Sequence, residues 1–174
     1  MLSLQGEHIK LRALEPEDLE LLARWENDTS NWGYSQQQVP FSRQLLKAYL
    51  ANAQQDIYTA KQLRLVIENN GQAIGLIDLY DFDFNNCRAG IGILIATEEN
   101  KRRGFAKEAL QVLLDYAKKA FDLKQVYASI GANNSASLKL FKSVGFKEVG
   151  VRSQWFRQGA NWEAEHLFQL IFKP

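Results

Sequence analysis

Residues 91–109 read IGILIATEENKRRGFAKEA, and the fold turns on how this stretch divides. Ala89 to Ala96, AGIGILIA, is a run of small and apolar residues that suits a buried central strand. A short polar loop follows. Arg103 to Phe121 then carries Phe105, Ala109, Leu110, Leu113, Leu114 and Ala117 at helical spacing. That spacing predicts a long helix with one broad apolar face.

The helix opens with Lys101, Arg102 and Arg103. Cations beside the positive end of a helix dipole cost a few tenths to about 1 kcal/mol each. An anion held by the free N–H groups of the first turn would offset that cost. Gly104 would let backbone approach such an anion closely, and Ala106 keeps the next turn small. The alternative is a solvated basic loop balanced by Glu98, Glu99 and Glu108. Neither GxxxxGK[ST] nor GxGxxG occurs, which argues against a mononucleotide kinase and a dinucleotide-binding dehydrogenase.

Upstream, His8 to Leu14 alternates as a first strand, and Pro16, Glu17 and Asp18 suit the start of a helix. Leu19, Leu21, Leu22 and Trp25 give that helix its apolar side. Asn27 to Pro40 is polar and turn-rich; Ser42 is placed to cap a second helix with the stripe Leu45, Leu46, Tyr49 and Leu50. Leu63 to Ile67, the turn Asn69-Asn70-Gly71 and Gln72 to Phe82 predict a hairpin. Downstream, Gln125 to Ile130 is a strand, and Asn134 to Val144 is a short helix stopped by Gly145. Phe146 to Phe156 and Trp162 to Phe172 form a last hairpin. The order is strand, two helices, a three-strand meander, helix, strand, helix, hairpin: a mixed α/β sheet, not a regular doubly wound one.

Composition bounds the function. The 174 residues carry 21 Lys plus Arg against 20 Asp plus Glu, so no general nucleic-acid coat is indicated. One Cys and two His leave little for a disulfide framework or a metal centre, and none is expected. His8 and His166 fit packing or surface roles, and Cys87 sits in a turn without a neighbouring His. No window approaches the roughly 20 apolar residues of a membrane span, and no signal peptide is apparent. A single domain over residues 1–174, soluble and cytoplasmic, is the expectation.

Lys101-Arg102-Arg103-Gly104-Phe105-Ala106 resembles the [Q/R]-x-x-G-x-[G/A] acyl-CoA pyrophosphate loop of the GNAT superfamily of N-acetyltransferases. Lys101 stands where that family usually has Gln or Arg. Asn134-Ser135-Ala136-Ser137, Leu140-Phe141 and Val144-Gly145-Phe146 resemble its second conserved segment, in the right order and at the right spacing. The LRALEPEDLE start, GQAIGLIDLYDF and the C-terminal hairpin are most similar to the spermidine/diamine and ribosomal-protein N-acetyltransferase group.

The resemblance implies a fold of about seven strands, mostly antiparallel, splayed at a central parallel pair, with four helices. It implies acetyl-CoA as cofactor. The pyrophosphate would sit on Arg102 to Ala106, with Lys101, Arg102 and Arg103 near the phosphates. The pantetheine arm would pair with Ile93, Leu94 and Ile95, beside Asn134, Ser137 and Phe141. A bulge on the central strand would open the slot, and Gly90 and Gly92 are compatible with one. Asn134 fits both a pantetheine contact and a helix cap. The reaction would be direct attack of an amine on the thioester, with a backbone N–H near Leu94 stabilising the oxyanion.

Two family features are replaced here. Phe141 stands where many relatives carry a Tyr acid, leaving Ser137, water or no acid. No carboxylate lies on the central strand, so the base would come from Asp78, Asp81, Asp83 or Glu26, with Tyr80 a further candidate. Trp32 falls where an acceptor-site wall is expected. The acceptor reading is a small-molecule polyamine or diamine, because acidic side chains would partner its cations. A protein N-terminus is the competitor, and a non-catalytic acyl-CoA sensor the reading from another class. Neither a membrane nor a nucleic-acid partner is expected; a homodimer would be compatible with the edge strands.

Overall fold

The hairpin turn builds the first half of the sheet. Asn70 and Gly71 adopt φ of 50° and 76°, the left-handed pair that joins two antiparallel strands tightly. They connect β2 (Leu63–Asn69) to β3 (Gln72–Asp83), and β1 (Lys10–Ala13) pairs on the outside of β2. β4 (Arg88–Ile95) runs antiparallel to β3. β5 (Gln125–Gly131) lies parallel to β4, and β6 (Lys147–Gln158) and β7 (Asn161–Ile171) form the final hairpin. The seven-stranded order is β1-β2-β3-β4-β5-β7-β6, with β4–β5 the parallel pair. The computed structural model describes residues 1–174 except Gln36 and Gln54, and leaves the Tyr34 and Ser35 side chains undescribed.

The helices are α1 (Leu19–Glu26), α2 (Thr29–Ser35), α3 (Arg43–Asn52), α4 (Ile57–Ala60), α5 (Phe105–Phe121) and α6 (Ser135–Ser143). The expected four are α1, α3, α5 and α6; α2 and α4 are additions. Both lie in low-propensity sequence and start at an Asp. Asp28 accepts from the Ser30 N–H, and Asp56 from those of Tyr58 and Thr59. Local capping thus outweighs the turn-like composition of 27–35. Ser42 caps α3 through the Leu45 N–H, as expected.

The sheet has a core on each face. α5 buries Ala109, Leu110 and Leu113 against Ile77, Ile91, Val126 and Phe168. α1 and α3 bury Leu22, Trp25, Leu46 and Leu50 against Val66 and Leu76. Each Leu, Ile, Val or Phe side chain among these contributes about 1.5–3 kcal/mol on leaving water. Trp155 and Trp162 stay exposed on the last hairpin, whereas Trp25 is core. No helix among the described residues is long and apolar enough to cross a membrane, and no acidic, His or Cys cluster there would hold a metal.

One feature of β3 and β4 differs from expectation. The pairing of β4 with β3 is continuous from Gly90 to Ile95. The bulge sits on β3, between Tyr80 and Asp83, where Asp81 takes φ of 49°. Gly90 serves another purpose: a Cβ there would lie 2.3 Å from the Tyr80 ring. The bare glycine lets Tyr80 lie across β4 and meet Tyr127 edge-on, with ring centroids 6.3 Å apart.

Candidate active site

β4 and β5 stay paired only from Arg88↔Gln125 to Gly90↔Tyr127. Beyond that, β4 follows β3 to Ile95 and β5 follows β7 to Gly131. A V-shaped slot opens between them. The Ala96 N–H donates to the Ile74 carbonyl, so residues of this parity on β4 — Gly90, Gly92 and Leu94 — bond β3. The opposite parity faces β5, as the Cys87 carbonyl does when it accepts from the Lys124 N–H at 2.7 Å. Ile93 and Ile95 therefore present their N–H and C=O groups to the slot. The oxyanion donor was expected from a backbone N–H near Leu94; by this parity the Leu94 N–H itself faces Leu76.

The slot leads into a cavity of about 490 Å³. One wall is Ile91, Gly92 and Ile93; the facing wall is Ala128 to Gly131. Asn134, Ser137 and Phe141 close it from α6. The Asn134 side chain accepts from the Ser137 N–H at 3.2 Å, so it caps α6 while lining the cavity. Phe141 is buried and packs edge-on against Phe146, with centroids 5.0 Å apart. The cavity is also lined by Ser30 and Gly33 of α2, Phe156 and Gln158 of β6, and Glu163 and Glu165 of β7. Trp32 does not line the cavity; its indole N–H bonds the Glu26 carbonyl at 3.0 Å, and its helix contributes Ser30 and Gly33 instead.

α5 begins after the short loop that follows β4. Gly104 is its cap at φ of 85°, with nothing within 4 Å of where a Cβ would stand. The first helical bond runs from the Glu108 N–H to the Gly104 carbonyl. The N–H groups of Phe105, Ala106 and Lys107 thus precede the ladder, and no side chain caps them. Arg102 and Arg103 are exposed, and the Arg103 guanidinium lies 4.9 Å from the Phe105 ring centre. Lys101 pairs with Glu98. Glu108 does not balance the basic loop. It accepts from the N–H groups of His8 and Ile9, at 2.7 and 3.2 Å, and fastens the chain start to α5.

The expected base candidates are distributed unevenly. Arg64 joins two of them: Nη1 donates to Glu26 at 2.9 Å and Nη2 lies 3.4 Å from Asp78. Neither carboxylate lines the cavity, and each already has a cation. Asp78 does come within 3.3 Å of the position a Gly92 Cβ would take, beside the slot. Asp81 is exposed at the bulge. Asp83 accepts from Asn86 and pairs with Arg88 at 2.9 Å, bonds that lower its pKa and give it a turn role. Burial, with Tyr127 and nearby acids, pushes the Tyr80 phenol far up, so it stays protonated.

The carboxylates that reach the cavity are Glu163 and Glu165, buried at 8% and 5% exposure. Glu163 accepts from the Asn133 N–H at 2.6 Å and from Gln158 Nε2 at 3.3 Å. Glu165 Oε2 accepts from Arg152 at 2.8 Å. These two were not among the expected site residues. Their signal was the alternation in Trp162-Glu163-Ala164-Glu165-His166-Leu167-Phe168, which puts two acids on one face of a largely apolar strand.

The acetyltransferase (GNAT) domain family matches residues 8–147. A spermidine N(1)-acetyltransferase of Vibrio cholerae is 26% identical over 167 residues, covering 95% of this chain and 94% of the relative. The crystal structure of a Vibrio cholerae spermidine N-acetyltransferase in complex with CoA and spermine superposes with a TM-score of 0.86. It is 23% identical and covers 95% of this chain and 96% of that one. RimL, a ribosomal alpha-N-protein acetyltransferase, superposes with a TM-score of 0.81 at 15% identity, over 98% of this chain and 93% of that one.

Proposed function

The chain belongs to the GNAT acetyltransferases, and we propose that it transfers the acetyl group of acetyl-CoA to a primary amine of a polyamine or diamine. The observation that carries this reading is a slot with two unlike sets of groups. It offers open backbone on parted strands with a free helix N-terminus after β4, and it lines the cavity with two buried carboxylates.

Acetyl-CoA fits the open backbone and the helix N-terminus. A pyrophosphate is matched by the N–H groups of Phe105, Ala106 and Lys107, by the bare Gly104, and by the nearby Arg102 and Arg103. A peptide-like pantetheine is matched by the unpaired backbone of Ile93 and Ile95, with Asn134, Ser137 and Phe141 beside it. When bound, it supplies an activated acetyl thioester. The chain does the rest. The Ile93 N–H, preorganised on a rigid strand, stabilises negative charge developing on the carbonyl oxygen. A buried carboxylate of the cavity, Glu165, binds the cationic acceptor, and the cavity's carboxylates take up the proton released. Phe141 offers no acid. None is required, since a thiol of pKa about 8.5 leaves well as thiolate.

The acidic lining favours a cationic acceptor, because a buried carboxylate needs a charge partner. Free-thiol release measured against spermine, spermidine, diamines, aminoglycosides and short peptides tests the reading, with turnover of polyamines or diamines expected. Turnover of peptide N-termini alone would reassign the acceptor. Tight acetyl-CoA binding without any turnover would make the protein a sensor.

A further inference from the structure

Glu165 is buried, lines the cavity and has one cation, Arg152, on Oε2. Among the described residues no donor reaches its Oε1. Arg152 differs from its partner: its side chain is 47% exposed against 7% for Glu165. The guanidinium also lies 4.7 Å from the ring centre of Trp155, itself half exposed on the rim strand β6. β6 is irregular here, with a register shift between Arg152 and Phe156 and Gln154 at φ of 51°. Arg152 is therefore held by one buried acid and one exposed ring, on the solvent side of the site. Glu163 contrasts with Glu165. Its two oxygens are taken by a backbone N–H and an amide, which clip the β5–α6 loop to β7.

We propose that Arg152 is a stand-in for the acceptor's cation: the substrate ammonium binds Glu165, and Arg152 gives way to solvent, keeping Trp155 as its resting place. This rests on the amine-acetyltransferase reading and adds a specificity residue and its competitor. A buried carboxylate left unpaired between turnovers would be costly, and Arg152 removes that cost while the site waits. The exchange conserves charge, since one cation replaces another. It also sets a preference. An acceptor must carry a positive charge to displace Arg152, so a neutral, weakly basic amine would compete poorly.

Calorimetric titration of spermidine into the protein saturated with CoA, paired with steady-state kinetics, tests this. Glu165→Gln should weaken spermidine about 10- to 100-fold, the worth of one charge-assisted hydrogen bond, and raise KM with CoA affinity unchanged. Arg152→Gln should tighten spermidine and lower KM several-fold, because the competitor is gone. Arg152→Gln in the Glu165→Gln background should change nothing further, a coupling that a merely structural Arg152 would not produce. Melting temperatures exclude misfolding, and Glu165→Asp, which keeps the charge, should recover part of the affinity. Polyamine turnover in which Arg152→Gln is neutral or weakening overturns the exchange while leaving the function standing. A protein that neither binds nor acetylates any amine overturns both.

Discussion

Replacing Gly104 with Glu tests the cofactor loop without touching the core. A Cβ at Gly104 meets nothing within 4 Å, so there is no steric cost inside the protein. The φ of 85° is the cost: a side chain in the left-handed region loses about 1–2 kcal/mol. A carboxylate at the start of α5 regains about 0.3–1 kcal/mol from the dipole. The net loss is about 1 kcal/mol, which lowers Tm by only about 2–4 °C at this chain length. Binding responds differently. One unit charge on the pyrophosphate about 6 Å from the new carboxylate, at an effective dielectric near 20, is repelled by about 3 kcal/mol. The expected loss of acetyl-CoA affinity is therefore about 100-fold or more. Gly104→Asn, neutral and tolerant of positive φ, should stay within about tenfold of wild type. Calorimetry at low salt reads both. A Glu variant that binds acetyl-CoA within threefold of wild type, with Tm near normal, would refute the assignment of this helix start to the phosphates.

Three further outcomes are expected. Phe141→Tyr should preserve acetyl-CoA affinity and leave kcat within about twofold, whereas a tenfold rise in thiol release would show that thiolate protonation limits the rate. Arg64→Met should cost about 3–5 kcal/mol in denaturant unfolding, because Glu26 and Asp78 lose their shared cation in a half-buried site; an unchanged midpoint would mean that solvent already screens them. Burial alone would raise the Asp18 pKa, but its bonds to Arg12 and the Glu15 N–H outweigh that and lower it. Its contribution is thus present above the ordinary value near 3.8 and lost as pH falls below it, so Asp18→Asn should flatten stability against pH in that acid window.

Particular residues show where sequence reasoning reached the site and where it stopped. Gly104, the caps Ser42 and Asn134, and the Asn70-Gly71 turn were legible, because each acts on backbone within a few residues of itself. α2 was not, since a single cap at Asp28 outweighed the composition around it. Asp78 and Glu26 were legible as candidate acids, yet their pairing with Arg64 was not, because Arg64 lies on a different strand. Leu94 and Ile93 are neighbours in sequence, and only the register against β3 decides which N–H faces the slot.

The sequence by itself determined the local periodicities: two-residue alternation for the strands, the stripe of α5, its start at Gly104, and with them the family. Tertiary structure alone decided that the strands part after Gly90 and Tyr127, that the bulge falls on β3, and that Glu163 and Glu165 line the cavity. The physical reason is range. Propensity, capping and turn geometry act between residues a few positions apart, whereas hydrogen-bond parity and the partners of buried charges depend on which strands meet. That is set when the whole apolar surface is buried at once.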